Sequence, residues 1–204
     1  MNLKYEKEKL KNGTRYVVGC DEVGRGSLAG PVVAAAIIFD LPVFKRIAGV
    51  RDSKLLTATK REFLDMMIKQ HALAWAIGVV SEKQIDEINI HNATLLALKI
   101  AAEKILRLVP SETCLVCVDG KFLIPDFNTR QEAVVKGDNK VFSVAAASIV
   151  AKVHRDLLMT KLDKTYPHYG FVRHKGYGTL HHRQAIKRFG VSPVHRQTFC
   201  SHLV

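Results

Sequence analysis

The sequence predicts an α/β fold, a mixed sheet with helices packed on its faces. Three observations carry that prediction. Three β-branched, apolar runs stand close together early in the chain; later short strands alternate with helices of apolar periodicity; and Ser/Thr capping boxes mark helix starts between them.

Residues 1–13, "MNLKYEKEKLKNG", form a charged lead-in ending in Asn-Gly, with no apolar segment of a secretion signal. "RYVVGCD" (15–21) and "PVVAAAIIFD" (31–40) read as strands, Pro31 standing at an edge where a missing N–H is tolerated. The helix "TATKREFLDMMIKQ" is expected to open on a Thr59-x-x-Glu62 capping box, and "ALAWAIGVV" (72–80) makes the third strand. A second box, Ser81-x-x-Gln84, introduces a short helix, followed by a long one from about Ile90 to Val109. There Leu95, Leu98, Ala102, Ile105, Leu106 and Val109 recur three and four residues apart as one buried stripe.

Strands are then expected at 114–120 ("CLVCVDG") and 132–138 ("EAVVKGD"), and a helix from about Phe142 to Leu162. After Tyr166-Pro167 the composition turns to Gly, His and Arg, and 179–190 reads as a short helix stopped by Gly190. Residues 1–165 are thus expected to form the core, and 166–204 a basic helical appendage that is not independent.

The 204 residues suffice for one well-filled core, and 48% hydrophobic with 25% charged residues suits an ordinary globular protein. Lys and Arg number 31 against 19 Asp and Glu, a formal charge of +12. From Ala151 onward there are ten Lys and Arg against two Asp, with seven of the nine histidines. Such a surface suits a polyphosphate partner, although a solvated basic face would look the same. Of four cysteines, the close pair Cys114 and Cys117 lies in an apolar run with no second C-x-x-C, so buried thiols are expected. No stretch approaches eighteen consecutive apolar residues, which argues against a membrane span, and a cytoplasmic location is expected.

The chemistry is suggested by acids at predicted strand ends beside glycine: Asp21 with Glu22, Asp119, and Asp138. A single Asp next to Gly is ordinarily a turn residue. Repetition at three strand ends, in a chain short of acids, points instead to side chains converging at one rim of a sheet. Carboxylates so close repel one another unless a cation compensates, and a hard oxygen set suits Mg²⁺ or Mn²⁺. Carboxylates shared between two ions about 4 Å apart serve in-line phosphoryl displacement.

Taken together, "DEVGRG" (21–26), "DSK" (52–54), "VDG" (118–120), "KGD" (136–138), "AAASIVAKVHRD" (145–156) and "HKGYGT" (174–179) resemble the type 2 ribonuclease H family in its bacterial ribonuclease HII branch, over about Tyr16 to Phe199. The resemblance implies a ribonuclease H-like core with a helical C-terminal part, and Asp21, Glu22, Asp119 and Asp138 as ligands of two Mg²⁺ or Mn²⁺ ions. It implies endonucleolytic cleavage of RNA in RNA–DNA hybrids and incision on the 5′ side of ribonucleotides embedded in duplex DNA, leaving 3′-hydroxyl and 5′-phosphate ends. The sister ribonuclease HIII usually has Gly-Lys-Gly where this chain has Gly24-Arg25-Gly26, and an added N-terminal domain for which the lead-in is expected to leave no room.

Gly24 and Gly26 are expected to bring backbone close to the sugar carrying the 2′-hydroxyl, with Arg25 on a flanking phosphate. By the same resemblance Tyr177 packs on the deoxyribose 3′ of the ribonucleotide. Lys54, Lys152, Arg155, His174 and Lys175 are candidate phosphate contacts, and Ser148 is placed at the substrate backbone. Asp156 either pairs with Lys152 four residues earlier or supports the metal ligands; Asp52 and His154 are read as structural. A monomer without an obligatory protein partner is expected, and "CSHLV" shows no clamp-binding peptide. Two competing readings are a nuclease of the same fold that ignores sugar identity, and a non-catalytic nucleic-acid-binding module.

Overall fold

The structure, a computed structural model, describes residues 3–11, 13–40, 47–51 and 53–203. Asp52 therefore lies outside the described residues. Five strands form one sheet: β1 (Tyr16–Val23), β2 (Val32–Ile38), β3 (Ala74–Val80), β4 (Cys114–Asp119) and β5 (Gln131–Val134), in the order β3-β2-β1-β4-β5. The glycine-containing turn after β1 reverses the chain, so β1–β2 is antiparallel, as is β2–β3. From β3 the chain crosses over through a helix, and β4 and β5 align parallel to β1.

Alternation along the strands assigns each residue to a face. Val18, Cys20, Ala34 and Ala36 pack under α3 (Glu82–Leu106). Val33, Ala35 and Ile37 pack under α2 (Ala58–His71) and α4 (Phe142–Thr165). A close approach of helix to sheet is at Gly19, where a Cβ would overlap the backbone of Ser143 and Val144. Its absence lets α4 lie directly on β1.

α3 is two helices joined end to end. Asn89 breaks it at φ 65°, and its Oδ1 accepts from the N–H groups of His91 and Asn92, capping the second half as the expected start near Ile90 requires. The Ser81–Gln84 capping box forms as expected. The Thr59 box does not: the cap is Thr57, whose hydroxyl accepts from Lys60 N at 3.3 Å. Leu56 is buried just before it, so the chain enters the helix two residues earlier and Thr59 falls in the first turn.

Residues 4–11, expected as a lead-in, form α1 (Lys4–Lys11). Its place is set by long-range partners: Tyr5 donates to Glu132 at 2.6 Å, Lys9 pairs with Glu132 at 2.7 Å, and Glu6 accepts from Ser143 N at 3.1 Å. The last strand is shorter than expected. After β5 the chain turns at Lys136, φ 57°, into a one-turn helix, Gly137–Asn139, so Asp138 stands on a turn that leads into α4 and not at a strand end.

Beyond α4 come α5 (Phe171–His174), α6 (Leu180–Phe189) and α7 (Gln197–Cys200). α6 starts on Thr179 and stops at Gly190, as expected. Phe171, Ile186 and Cys200 gather around Ala29 and Met159, so this segment builds its apolar cluster on the turn after β1 and on α4. All four cysteines are buried and free, and among the described residues no helix is long and apolar enough to cross a membrane.

Candidate active site

The parallel register of β1 and β4 sets Cys20 beside Val118, so Asp21 and Asp119 occupy the next rung at the strand ends. By alternation Asp21 turns toward α4 and Glu22 toward α3. Asp138 joins from the following turn, where Gly137 N donates to Asp119 Oδ1 at 2.7 Å and Asn139 Nδ2 donates to Asp138 at 2.9 Å. Burial holds the Asp21 carboxyl well above the usual carboxylate range, and the charges of Glu22 and Asp119 push it further. Glu22 is raised by burial as well, against the opposing Arg25 guanidinium at 3.3 Å.

Such mutual repulsion is what a divalent cation relieves, and an all-oxygen set fits Mg²⁺ or Mn²⁺. Among the described residues no three acidic, histidine or cysteine side chains are close enough together to enclose an ion by themselves. The carboxylates form a rim.

Ser148 is buried on α4 beside Asp21, whose charged form its hydroxyl favours. Its oxygen lies 2.9 Å from Ser53 Oγ, and either hydroxyl can donate to the other. Ser148, expected at the substrate backbone, thus stands from α4 beside the Asp21 carboxyl. Ser53 belongs to the "DSK" motif, but nothing in the sequence marks it apart from its neighbours.

The loop after β1 is held from below by two fully buried arginines. Arg155 donates to the carbonyls of Pro31 (3.0 Å), Lys175 (2.8 Å) and Ala29 (3.1 Å). Arg196 donates to Gly24 O at 2.7 Å, Arg25 O at 2.8 Å and Gly30 O at 2.8 Å. The expectation that Arg155 meets a phosphate is corrected by this placement, since its donors are spent inside. Arg196 was missed: one basic residue in a basic tail carries no signal of burial.

Gly24 stands at φ 96°, and a Cβ there would run into the Arg155 guanidinium. Gly26 is exposed, and a Cβ added to it would meet nothing within 4 Å. Tyr177 bridges to Ser27 as an isolated β-pair, Leu28 N donates to Gly176 O at 2.8 Å, and the Tyr177 ring lies over Arg155 at 5.6 Å. The 24–30 loop and Tyr177 therefore form one unit.

Behind Tyr177 runs a chain of buried groups. Ser192 N donates to His195 Nδ1 at 3.0 Å, which leaves His195 Nε2 to donate to His182 Nε2 at 3.1 Å; His182 Nδ1 then donates to Tyr177 O at 3.0 Å. Burial lowers both histidines to about 4, so both are neutral. His174 is likewise buried, with Nε2 2.9 Å from Tyr169 O and Nδ1 accepting from Gly176 N, which corrects its expected phosphate contact.

The remaining candidates lie nearer the surface. Lys54 is exposed on a one-turn helix, and Lys175 donates to Thr160 at 3.1 Å. Lys152 pairs with Asp156 at 2.7 Å, the first of the two roles open to Asp156, and Arg61 approaches the same carboxylate at 4.0 Å.

A five-stranded mixed sheet with helices on both faces, and acids at the ends of two neighbouring parallel strands, defines the ribonuclease H class. The sequence model of ribonuclease HII matches residues 18–202. The chain is 50% identical to a ribonuclease HII of Acetivibrio thermocellus over 98% of its own length and 75% of the relative's, and 48% identical to that of Caldicellulosiruptor saccharolyticus over 98% and 94%. The chain belongs to the ribonuclease HII family of endoribonucleases. Among solved structures it is similar to ribonuclease HII in its complex with PCNA from Archaeoglobus fulgidus, at TM-score 0.75 and 28% identity over 92% of this chain and 96% of that one. Bst-RNase HIII in complex with Mn²⁺ shares the fold at TM-score 0.70 and 22% identity, over 92% of this chain and 65% of that one.

Proposed function

We propose that this chain hydrolyses the RNA strand of RNA–DNA hybrids and incises duplex DNA on the 5′ side of an embedded ribonucleotide, as a step in removing it. Asp21, Glu22, Asp119 and Asp138 are the residues that would hold two Mg²⁺ or Mn²⁺ ions. Such ions supply an activated water and stabilise the leaving 3′ oxygen. The chain's own part is to hold Asp21, Glu22 and Asp119 in register on two adjacent strands with Asp138 on the following turn, to keep Ser148 beside Asp21, and to bring the sugar against the loop. Gly26 leaves room for backbone beside a 2′-hydroxyl, and Tyr177, joined to the same loop, would pack on the following deoxyribose.

The observation that carries this reading is the adjacency of the acidic rim and the 24–26 loop on one strand end. The protein with Mg²⁺ is expected to cut a duplex containing one ribonucleotide and to leave an all-DNA duplex intact. Equal cutting of both would refute the choice of sugar. Asp119→Asn is expected to abolish cleavage while metal-free duplex binding survives, and an active variant would remove Asp119 from the metal ligands.

A further inference from the structure

On the α3 side of the rim lies a cavity of about 310 Å³ that shares Glu22 and Asp119 with the acidic centre. Its floor is apolar, from Leu95, Leu98 and Val118, and its rim carries the cations Arg25 and Lys121. At the mouth Phe122 is 55% exposed and stands edge-on to His91 with ring centroids 4.7 Å apart. An exposed phenylalanine that lines the same cavity as two cations, beside the acidic rim, has the composition of a sugar–phosphate contact: an aromatic face for the apolar side of the sugar and cations for its phosphates.

Direction follows from the topology. A strand crossing the rim leaves the scissile phosphate both ways. Tyr177 and the 24–30 loop occupy one way and do not line the cavity, except through Arg25, which stands between the two. The other way passes over Phe122. We infer that this cavity is a second subsite, which takes the sugar–phosphate of the nucleotide 5′ to the ribonucleotide, with Phe122 against the sugar and Lys121 on its phosphate. The inference rests on the reading that the 24–26 loop takes the ribonucleotide.

The test is metal-free binding, which needs no cleavage. Fluorescent duplexes carry one ribonucleotide, and the nucleotide 5′ to it is intact, or a tetrahydrofuran (sugar without base), or a three-carbon spacer (neither). Wild type is expected to bind the intact and tetrahydrofuran duplexes alike and the spacer duplex about tenfold more weakly. Phe122→Ala is expected to bind the intact duplex about tenfold more weakly, with little further loss to the spacer, and Phe122→Tyr to behave as wild type.

Equal wild-type affinity for all three duplexes overturns the inference, as does an undiminished spacer penalty in Phe122→Ala. A tetrahydrofuran penalty as large as the spacer's would put the base against Phe122 and overturn the sugar assignment. If Phe122→Ala does not fold, the wild-type series with Lys121→Ala, expected to bind all three duplexes several-fold more weakly, still decides. Absence of ribonucleotide-specific incision with this binding pattern intact would sink the proposed function alone; normal incision without the pattern would sink the subsite alone.

Discussion

The His195–His182 chain makes a quantitative prediction about stability and pH. Both rings are fully buried, and their folded pKa values lie near 4 against an ordinary 6.5. Between these values the unfolded chain binds protons that the folded chain refuses, so stability is present above pH 6.5 and is lost as pH falls toward 4. From pH 7 to pH 5 each ring accounts for about 2 kcal/mol, and roughly 4 is the ceiling for the pair, because a proton on either ring breaks the same hydrogen bond. Urea unfolding at the two pH values measures the loss. Asp21 and Glu22 titrate with the opposite sign, their folded values being raised, so the informative quantity is the difference between wild type and variant. Asparagine places an amide at the δ position, where His182 donates to Tyr177 O and His195 accepts from Ser192 N. His182→Asn and His195→Asn should each lose about 2 kcal/mol less than wild type over this interval. A loss in both variants as large as that of wild type would refute the neutral, buried chain.

Arg196→Met should cost at least about 3 kcal/mol, because it strands the carbonyls of Gly24, Arg25 and Gly30, and Arg196→Lys should recover only part, since an ammonium cannot fork across them; an unchanged urea midpoint would contradict this. Gly24→Ala should destabilise the fold by about 1–3 kcal/mol, whereas Gly26→Ala should leave stability unchanged and lower incision at a single ribonucleotide about tenfold. Normal incision by a stable Gly26→Ala protein would end the case for close backbone approach. Asp21→Asn should raise the melting temperature of the metal-free protein at neutral pH while abolishing activity, since it removes a buried carboxyl whose charged form burial, Glu22 and Asp119 all oppose; a lower melting temperature would count against the repulsion.

The sheet was legible because its strands are long apolar runs between glycine turns, and the break at Asn89 because a capping box and a new apolar period flank it. α1 was not, since six of its eight residues are charged, too few apolar ones remain to show a period, and it is placed by partners more than 120 positions away, Glu132 and Ser143. A cap at Thr57 and a box at Thr59 differ only in which neighbour must be buried, and spacing does not encode that. Asp21, Glu22 and Asp119 were legible at strand ends as like charges closing apolar strands, whereas Asp138 stands on the turn after β5 and not at the strand end expected for it. The buried polar groups beneath the loop and behind Tyr177 and Ser148 were not legible. Ser53, His182, His195 and Arg196 are single polar residues whose meaning comes from burial, and burial of a polar residue is decided by what the rest of the chain brings to it.

Burial also divides two glycines that look equivalent in "GRG". Gly24 is a glycine because of what lies beneath it: positive φ and the Arg155 guanidinium leave no place for a Cβ. Gly26 meets neither constraint, so the fold gives no reason to exclude a side chain there, and the reason must be sought outside the protein. The same logic sorts the cations. Arg155 and Arg196 spend their donors on backbone carbonyls and hold the loop rigid, at the desolvation cost that brings Arg196 down to about 10. Arg25 is left on the surface, tied among the described residues to Glu22 by a partly exposed pair of the kind worth at most about 1 kcal/mol. A rigid loop carrying one weakly held guanidinium can exchange that partner for a phosphate without moving its backbone. That combination requires the buried arginines as much as the exposed one.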